Sequence, residues 1–155
     1  MTAAESERQL VVFSLHGELY GLPIALVREI IRYTAPMATA TTSALVRGMI
    51  SLRGRVVPIV DLSNRLDKQL EIAGGTRIVV IELRRGPLGL IVDSVEGVWR
   101  IPAAQIEPLP VPVGTDGLGR EIAAVGEHLV MLLDAEKALA AAFPARAPRR
   151  RRTTG

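Results

Sequence analysis

The stretch Leu52-Arg-Gly-Arg-Val-Val-Pro-Ile-Val-Asp-Leu62 decides how this chain is read. Arg53-Gly54 makes a turn, and Arg55–Asp61 is a β-branched run long enough for one strand. Pro58 has no N–H to give to a ladder, which predicts an edge strand or a bulge there. Upstream, Ala44–Leu52 is a second short apolar segment, broken by Gly48. The Gly-containing turn leads from that segment into the strand, and Ser63–Leu66 after Asp61 predicts a single helical turn.

The same grammar recurs in both directions. Leu10–Leu15 and Leu19–Leu22 flank His16-Gly17, and Arg77–Leu83 and Leu88–Asp93 flank Arg84-Arg85-Gly86-Pro87. Ile122–Val125 and Leu129–Leu133 flank Gly126-Glu127-His128. Each pattern predicts a hairpin. Pro23 predicts a helical turn leading into a strand at Arg28–Arg32, and a strand runs on through Val95 to Ile101. Thr34–Thr42 and Glu71–Gly75 read as loops, and the Pro/Gly-rich stretch 102–119 as mostly loop. Asp134 is placed to cap one helix, Ala135–Ala142. Eight to ten short strands and one helix indicate a mainly β protein of the small-barrel or sandwich class. Three runs end alike, at Asp61, Asp93 and Asp134, an echo too short to count as a repeat.

Composition narrows the chemistry. With 155 residues and no cysteine, the chain has material for one domain and no disulfide, thiolate zinc site or cysteine nucleophile. The first residues carry no apolar signal-peptide core, and no run approaches the ~18 apolar residues of a membrane span; the expected location is the cytoplasm. The net charge of +3 is local. Arg146, Arg149, Arg150, Arg151 and Arg152 supply five of the 19 basic residues, and the remaining 14 stand against 16 acidic ones. The body is therefore mildly acidic, which argues against whole-domain nucleic-acid binding. The aspartates suggest a metal site less well than they suggest strand-end caps, because no ligand spacing accompanies them. His16 and His128 sit in turns, where solvation is the ordinary state, and no Gly-x-Ser-x-Gly elbow exists. Neither an enzyme active site nor a cofactor site emerges.

What remains is surface, and here the residues match a family. Glu18-Leu-Tyr-Gly-Leu22, Leu26-Val-Arg-Glu-Ile-Ile31, Val46-Arg-Gly-Met-Ile50, the 52–62 stretch, Gly89-Leu-Ile-Val-Asp-Ser-Val95 and Leu129-Val-Met-Leu-Leu-Asp134 occur in order. Together they resemble the CheW-type chemotaxis coupling proteins over about residues 8 to 142. The resemblance implies two intertwined, SH3-like, five-stranded β-barrels with a short C-terminal helix. Residues 1–7 are then a flexible N-terminus, and 143–155 a basic, disordered tail. It also implies a non-catalytic scaffold near membrane receptor arrays, joining the cytoplasmic tip of methyl-accepting chemoreceptors to the regulatory domain of a CheA-type histidine kinase.

By position, Val27, Glu29 and Gly48 correspond to the family's kinase contact and Arg53 to its receptor contact. Gly48 is expected to let a partner's backbone approach closely, whereas Val27 reads equally well as core. The arginine tail lies outside the family pattern and suggests a weak electrostatic contact with anionic membrane or nucleic acid. The competing reading is a nucleic-acid-binding small β-barrel that uses this tail. The five aromatics, Phe13, Tyr20, Tyr33, Trp99 and Phe143, are few for a base-stacking platform.

Overall fold

A computed structural model describes residues 7–38, 45–64, 71–109 and 119–139. The arginine tail, residues 1–6, most of Pro110–Arg120 and the end of the expected closing helix lie outside the described residues. Strands β1 (Glu7–Leu15) and β2 (Glu18–Pro23) form the first hairpin, with Leu15 opposite Glu18 across a two-residue turn. Pro23 then opens a 3-10 turn, Ile24–Leu26, and β3 (Val27–Arg32) follows. The second hairpin is β4 (Val46–Leu52) and β5 (Arg55–Val60), ending in a 3-10 turn at Leu62–Asn64. The third is β6 (Arg77–Leu83) and β7 (Gly86–Val92). After a bend at Asp93 come β8 (Ser94–Pro102), a 3-10 turn at Ala103–Gln105 and β9 (Ile106–Pro108). The last elements are β10 (Gly119–Val125), β11 (His128–Leu133) and helix α1 (Ala135–Leu139).

These strands make two sheets, β8-β1-β2-β11-β10-β9 and β3-β6-β7-β5-β4, the two small SH3-like barrels expected. The first holds six strands rather than five, because β8 pairs beyond β1 at an edge that has no counterpart in the second. The chain begins in the first sheet, leaves it at Pro23, builds the whole second sheet and returns at β8, so the barrels are intertwined. Each sheet contains one parallel pair, β2 with β11 and β5 with β7. Counted outward from those pairs, the sheets match strand for strand: β11 with β7, β2 with β5, β1 with β4 and β9 with β3. The 3-10 turns before β3 and β9 agree too, each following a proline at φ −55 or −56.

Double-sided burial explains the unbroken apolar runs. On β1, Phe13 and Leu15 enter a core shared between the barrels, while Leu10 and Val12 face the interior of the first barrel. On β6, Val79, Ile81 and Leu83 enter the shared core, and Ile78 and Val80 fill the second barrel. Each such side chain contributes about 1.5–3 kcal/mol on burial, so the shared core binds the barrels into one unit. Helix α1 closes it with Ala135 and Leu139, four residues apart on one face. Its first turn is capped by Asp134, whose Oδ1 accepts the Lys137 N–H at 3.2 Å.

Three places add detail to the expectations. Of the two alternatives for Pro58, the edge strand fails, since β5 lies between β7 and β4, while a bulge of β4 between Val46 and Gly48 does lie beside it. Pro58 is tolerated because Met49, its opposite number, turns its N–H and C=O away to Met37 at 2.9 and 2.8 Å. The β4 side therefore asks no hydrogen bond of Pro58, and pairing with β7 starts only at Ile59. Within the stretch after Ile101, expected to be mostly loop, Ile106–Pro108 pairs with β10 as an edge strand, where a proline fits. Finally, β1 begins at Glu7, within the expected N-terminal extension.

Candidate docking site

Strand β3 alternates half-buried Val27, Glu29 and Ile31 with exposed Arg28, Ile30 and Arg32. Val27 packs against the shared core, so its core reading holds whatever else it touches. The register with β6 slips between Val27 and Glu29, a bulge that re-aims the strand at this point.

The hairpin β4–β5 brings its turn to Glu29. Arg53 and Gly54 both have positive φ, 51 and 79, the backbone that a two-residue turn needs to match the twist of its strands. The Arg53 guanidinium then donates twice to the Glu29 carboxylate, Nε to Oε2 and Nη2 to Oε1, each at 3.1 Å. This pairing holds the Glu29 carboxyl below its ordinary range and raises the guanidinium above its own, in each case chiefly through the hydrogen bonds. Strands β3 and β4 stand at opposite ends of the sheet order, so the pair ties the two edges of the second barrel together.

A second cluster lies alongside. Glu82 of β6 accepts from Arg55 Nη1 at 3.0 Å and from Arg28 Nη1 at 2.9 Å. Its carboxyl is lowered first by the Arg55 hydrogen bond, with Arg28 adding attraction. Leu52, Val57, Val80 and Pro87 lie between the two clusters. Arg28, Arg55 and Glu82 were not singled out in the sequence, although one signal was there: Glu82 is the sole carboxylate of β6 and follows the apolar run Ile78–Ile81. Exposed pairs of this kind add little stability singly. A forked guanidinium held in one orientation is instead a means of recognition.

Gly48, expected at the kinase contact, also serves the chain's own packing. Its φ is +154, and an added Cβ would overlap the carbonyl oxygen of Met37 and lie 2.8 Å from the Met37 carbon. The backbone that needs the space is the chain's own, where Met37 bridges to Met49 beside the β4 bulge. Thus Glu29 and Arg53 are brought into contact, Val27 shares the strand of Glu29, and Gly48 secures the neighbouring strand internally.

The remaining candidates resolve into structural duties. Asp61 is buried; its Oδ1 accepts the Ser63 N–H at 2.8 Å and its Oδ2 accepts Arg47 Nε at 3.0 Å. Asp93 Oδ2 accepts the His16 N–H at 2.7 Å, and Asp134 caps α1. Asp61 and Asp93 therefore brace the two sides of one junction, through Ser63 and His16, while Asp134 serves a separate place. His16 is not simply solvated: it is half-buried, with Nε2 2.9 Å from Ser63 Oγ. Among the described residues, His16 and Arg53 are the non-glycine residues at positive φ, 52 and 51. They occupy equivalent turns of the two barrels, and each sends its side chain to a distant strand or turn. His128 is exposed beside Trp99, at 6.1 Å between ring centroids. Phe13 and Tyr20 are stacked in the shared core and Trp99 packs on the first barrel's interior, so these aromatics offer no stacking platform. No described helix is long and apolar enough to cross a membrane.

Comparison with known proteins agrees with this architecture. The CheW-like domain model matches residues 9–143. The chain is 34% identical over 139 residues to the chemotaxis protein CheW of Klebsiella aerogenes, covering 85% of this chain and 81% of that one. It is 31% identical over 143 residues to the chemotaxis protein CheW of Bacillus subtilis, covering 90% and 92%. It is also similar to protein FrzA of Myxococcus xanthus, at 31% identity over 133 residues, covering 85% and 78%. Among solved structures, the scaffolding protein TtCheW from Thermoanaerobacter tengcongensis superposes with a TM-score of 0.74 at 32% identity, covering 81% of this chain and 83% of that one. Two intertwined barrels, a paired Glu29 and Arg53 at the mouth of the second, and a family match over nearly the whole length lead to one conclusion: the chain belongs to the CheW-like domain family.

Proposed function

We propose that this protein is a non-catalytic coupling protein of a bacterial chemosensory system. It joins the cytoplasmic tip of methyl-accepting chemoreceptors to the regulatory domain of a CheA-type histidine kinase, in the cytoplasm beside receptor arrays. Family membership and the names of its relatives as chemotaxis or scaffolding proteins support the reading. It needs neither cofactor nor small-molecule substrate.

The observation that carries the reading furthest is the forked Glu29–Arg53 pair. In this account Val27 and Glu29 face the kinase, with Gly48 holding the adjoining strand in shape, and Arg53 faces the receptor. A receptor group that draws the Arg53 guanidinium away leaves the Glu29 carboxylate without its partner. That changes what the kinase meets on β3. Such a contact gives different free energies in two states, which any coupling device requires. The tail arginines Arg146, Arg149, Arg150, Arg151 and Arg152 add about 1 kcal/mol each near an anionic surface such as a membrane, enough to raise local concentration.

The direct test immobilises a receptor cytoplasmic tip and asks whether the kinase regulatory domain is retained. Retention only when the full-length protein is added supports coupling. Absence of retention with a folded protein contradicts it.

A further inference from the structure

Arg32 and Arg77 stand directly opposite one another where β3 pairs with β6. Like charges in that position repel and destabilise a sheet, and elsewhere the described residues avoid the problem. Arg8, Arg28, Arg47, Arg53 and Arg55 each hold a carboxylate. Arg32 has no hydrogen-bond or ion-pair partner among the described residues. Arg77 Nη1 donates only to backbone carbonyls, Gly74 O at 2.9 Å and Thr76 O at 3.0 Å. Those bonds aim its guanidinium without neutralising it.

Both arginines line one surface cleft of about 320 Å³, with Tyr33 and Ile72 as its apolar wall and no carboxylate among the described residues that line it. The floor is a built turn. Ala73 N–H donates to Thr76 Oγ1 at 2.8 Å, Thr76 N–H returns to Ala73 O at 3.2 Å, and Tyr33 N–H reaches Thr76 O at 3.4 Å. Ile72 is 54% exposed beside this charge.

We propose that this cleft binds an acidic segment of a protein partner, with a carboxylate seated between Arg32 and Arg77 and an adjacent apolar side chain against Ile72 and Tyr33. Guanidinium forks match a carboxylate bidentately, and one negative group relieves the repulsion that the cross-strand pair carries. The cleft lies at the far end of β3 from Glu29, so a partner lying along this strand reaches both places.

The test is a backbone-amide NMR titration of the full chain with the peptide Ac-Glu-Glu-Leu-Glu-Glu-amide, in which neither kinase nor receptor takes part. Its result is therefore independent of the coupling role. The expected result is saturable shifts at Arg32, Tyr33 and Ala73–Arg77, with affinity falling roughly tenfold or more in Arg32→Gln/Arg77→Gln. Should the double variant lose native dispersion, Arg32→Gln alone breaks no bond and must show the same direction of loss. Shifts confined to other residues, the tail arginines included, or unchanged affinity in the folded variants overturn the proposal.

Discussion

Arg53 and Glu29, 24 residues apart in sequence, meet through two hydrogen bonds of 3.1 Å that link the β4–β5 turn to β3. The residue expected on the receptor side and the residue expected on the kinase side are therefore one unit. Arg53→Lys keeps the charge and loses the fork, and Arg53→Glu sets two carboxylates against each other. The expected order of receptor affinity, by isothermal titration calorimetry, is wild type, then Lys, then Glu. Equal affinity for all three shows that the guanidinium is not read by the receptor.

Gly48 makes a prediction about stability before any about binding. Gly48→Ala places a Cβ on the Met37 carbonyl and demands positive φ of a residue that resists it, at a cost of about 1–3 kcal/mol. Thermal unfolding should show a clear drop in midpoint. Gly54→Ala keeps the backbone strain but meets no atom within 4 Å, so it should lose less. An unchanged midpoint for Gly48→Ala contradicts the close approach of Met37.

The junction of the barrels is tested at His16. Its Nε2 is 2.9 Å from the Oγ of Ser63, which is fully buried. His16→Ala leaves that hydroxyl without the imidazole, costing about 1–3 kcal/mol. In Ser63→Ala the hydroxyl is already gone, so adding His16→Ala should cost less there. Additive losses in this double-mutant cycle show that the two side chains are not coupled.

The pH dependence follows from Glu29 and Glu82, both held below the ordinary 4.5 by their arginines. A carboxyl lowered in the folded state takes up its proton first in the unfolded chain. The stability it contributes is thus complete above the ordinary value and is withdrawn as pH falls below it, through the lowered value. Melting curves between pH 7 and pH 3 should show this loss, and Glu82→Gln should reduce its steepness. A variant with the wild-type slope removes Glu82 from the account.

Hairpins were legible because their signal is local: apolar runs flank His16-Gly17, Arg84-Arg85 and Gly126-Glu127, and each became a two-strand turn. The family pattern supplied the intertwining. What closes each sheet was not legible, since the parallel pairs β2 with β11 and β5 with β7 join segments far apart in sequence and leave no local period. Proline marked two places without saying what surrounds them. Residue type says that an N–H is missing, but only the neighbouring strands say whether one was needed, at Pro58 and at Pro108 alike. The runs ending in Asp93 and Asp134 looked too short to be a repeat, yet β7 and β11 hold equivalent places in the two sheets. At the site, Glu29 and Arg53 were each found by position, while their contact depends on a bulge and a left-handed turn that no spacing encodes.

The central claim is that the Glu29–Arg53 pair transmits receptor binding to the kinase contact. The measurement that tests it most directly is the affinity of the kinase regulatory domain for the full-length protein, with and without saturating receptor tip, in wild type and in Glu29→Gln. The account predicts that receptor tip changes kinase affinity about fivefold or more in wild type, and that the change collapses in Glu29→Gln while both partners still bind. The same receptor-induced change in both proteins would contradict it.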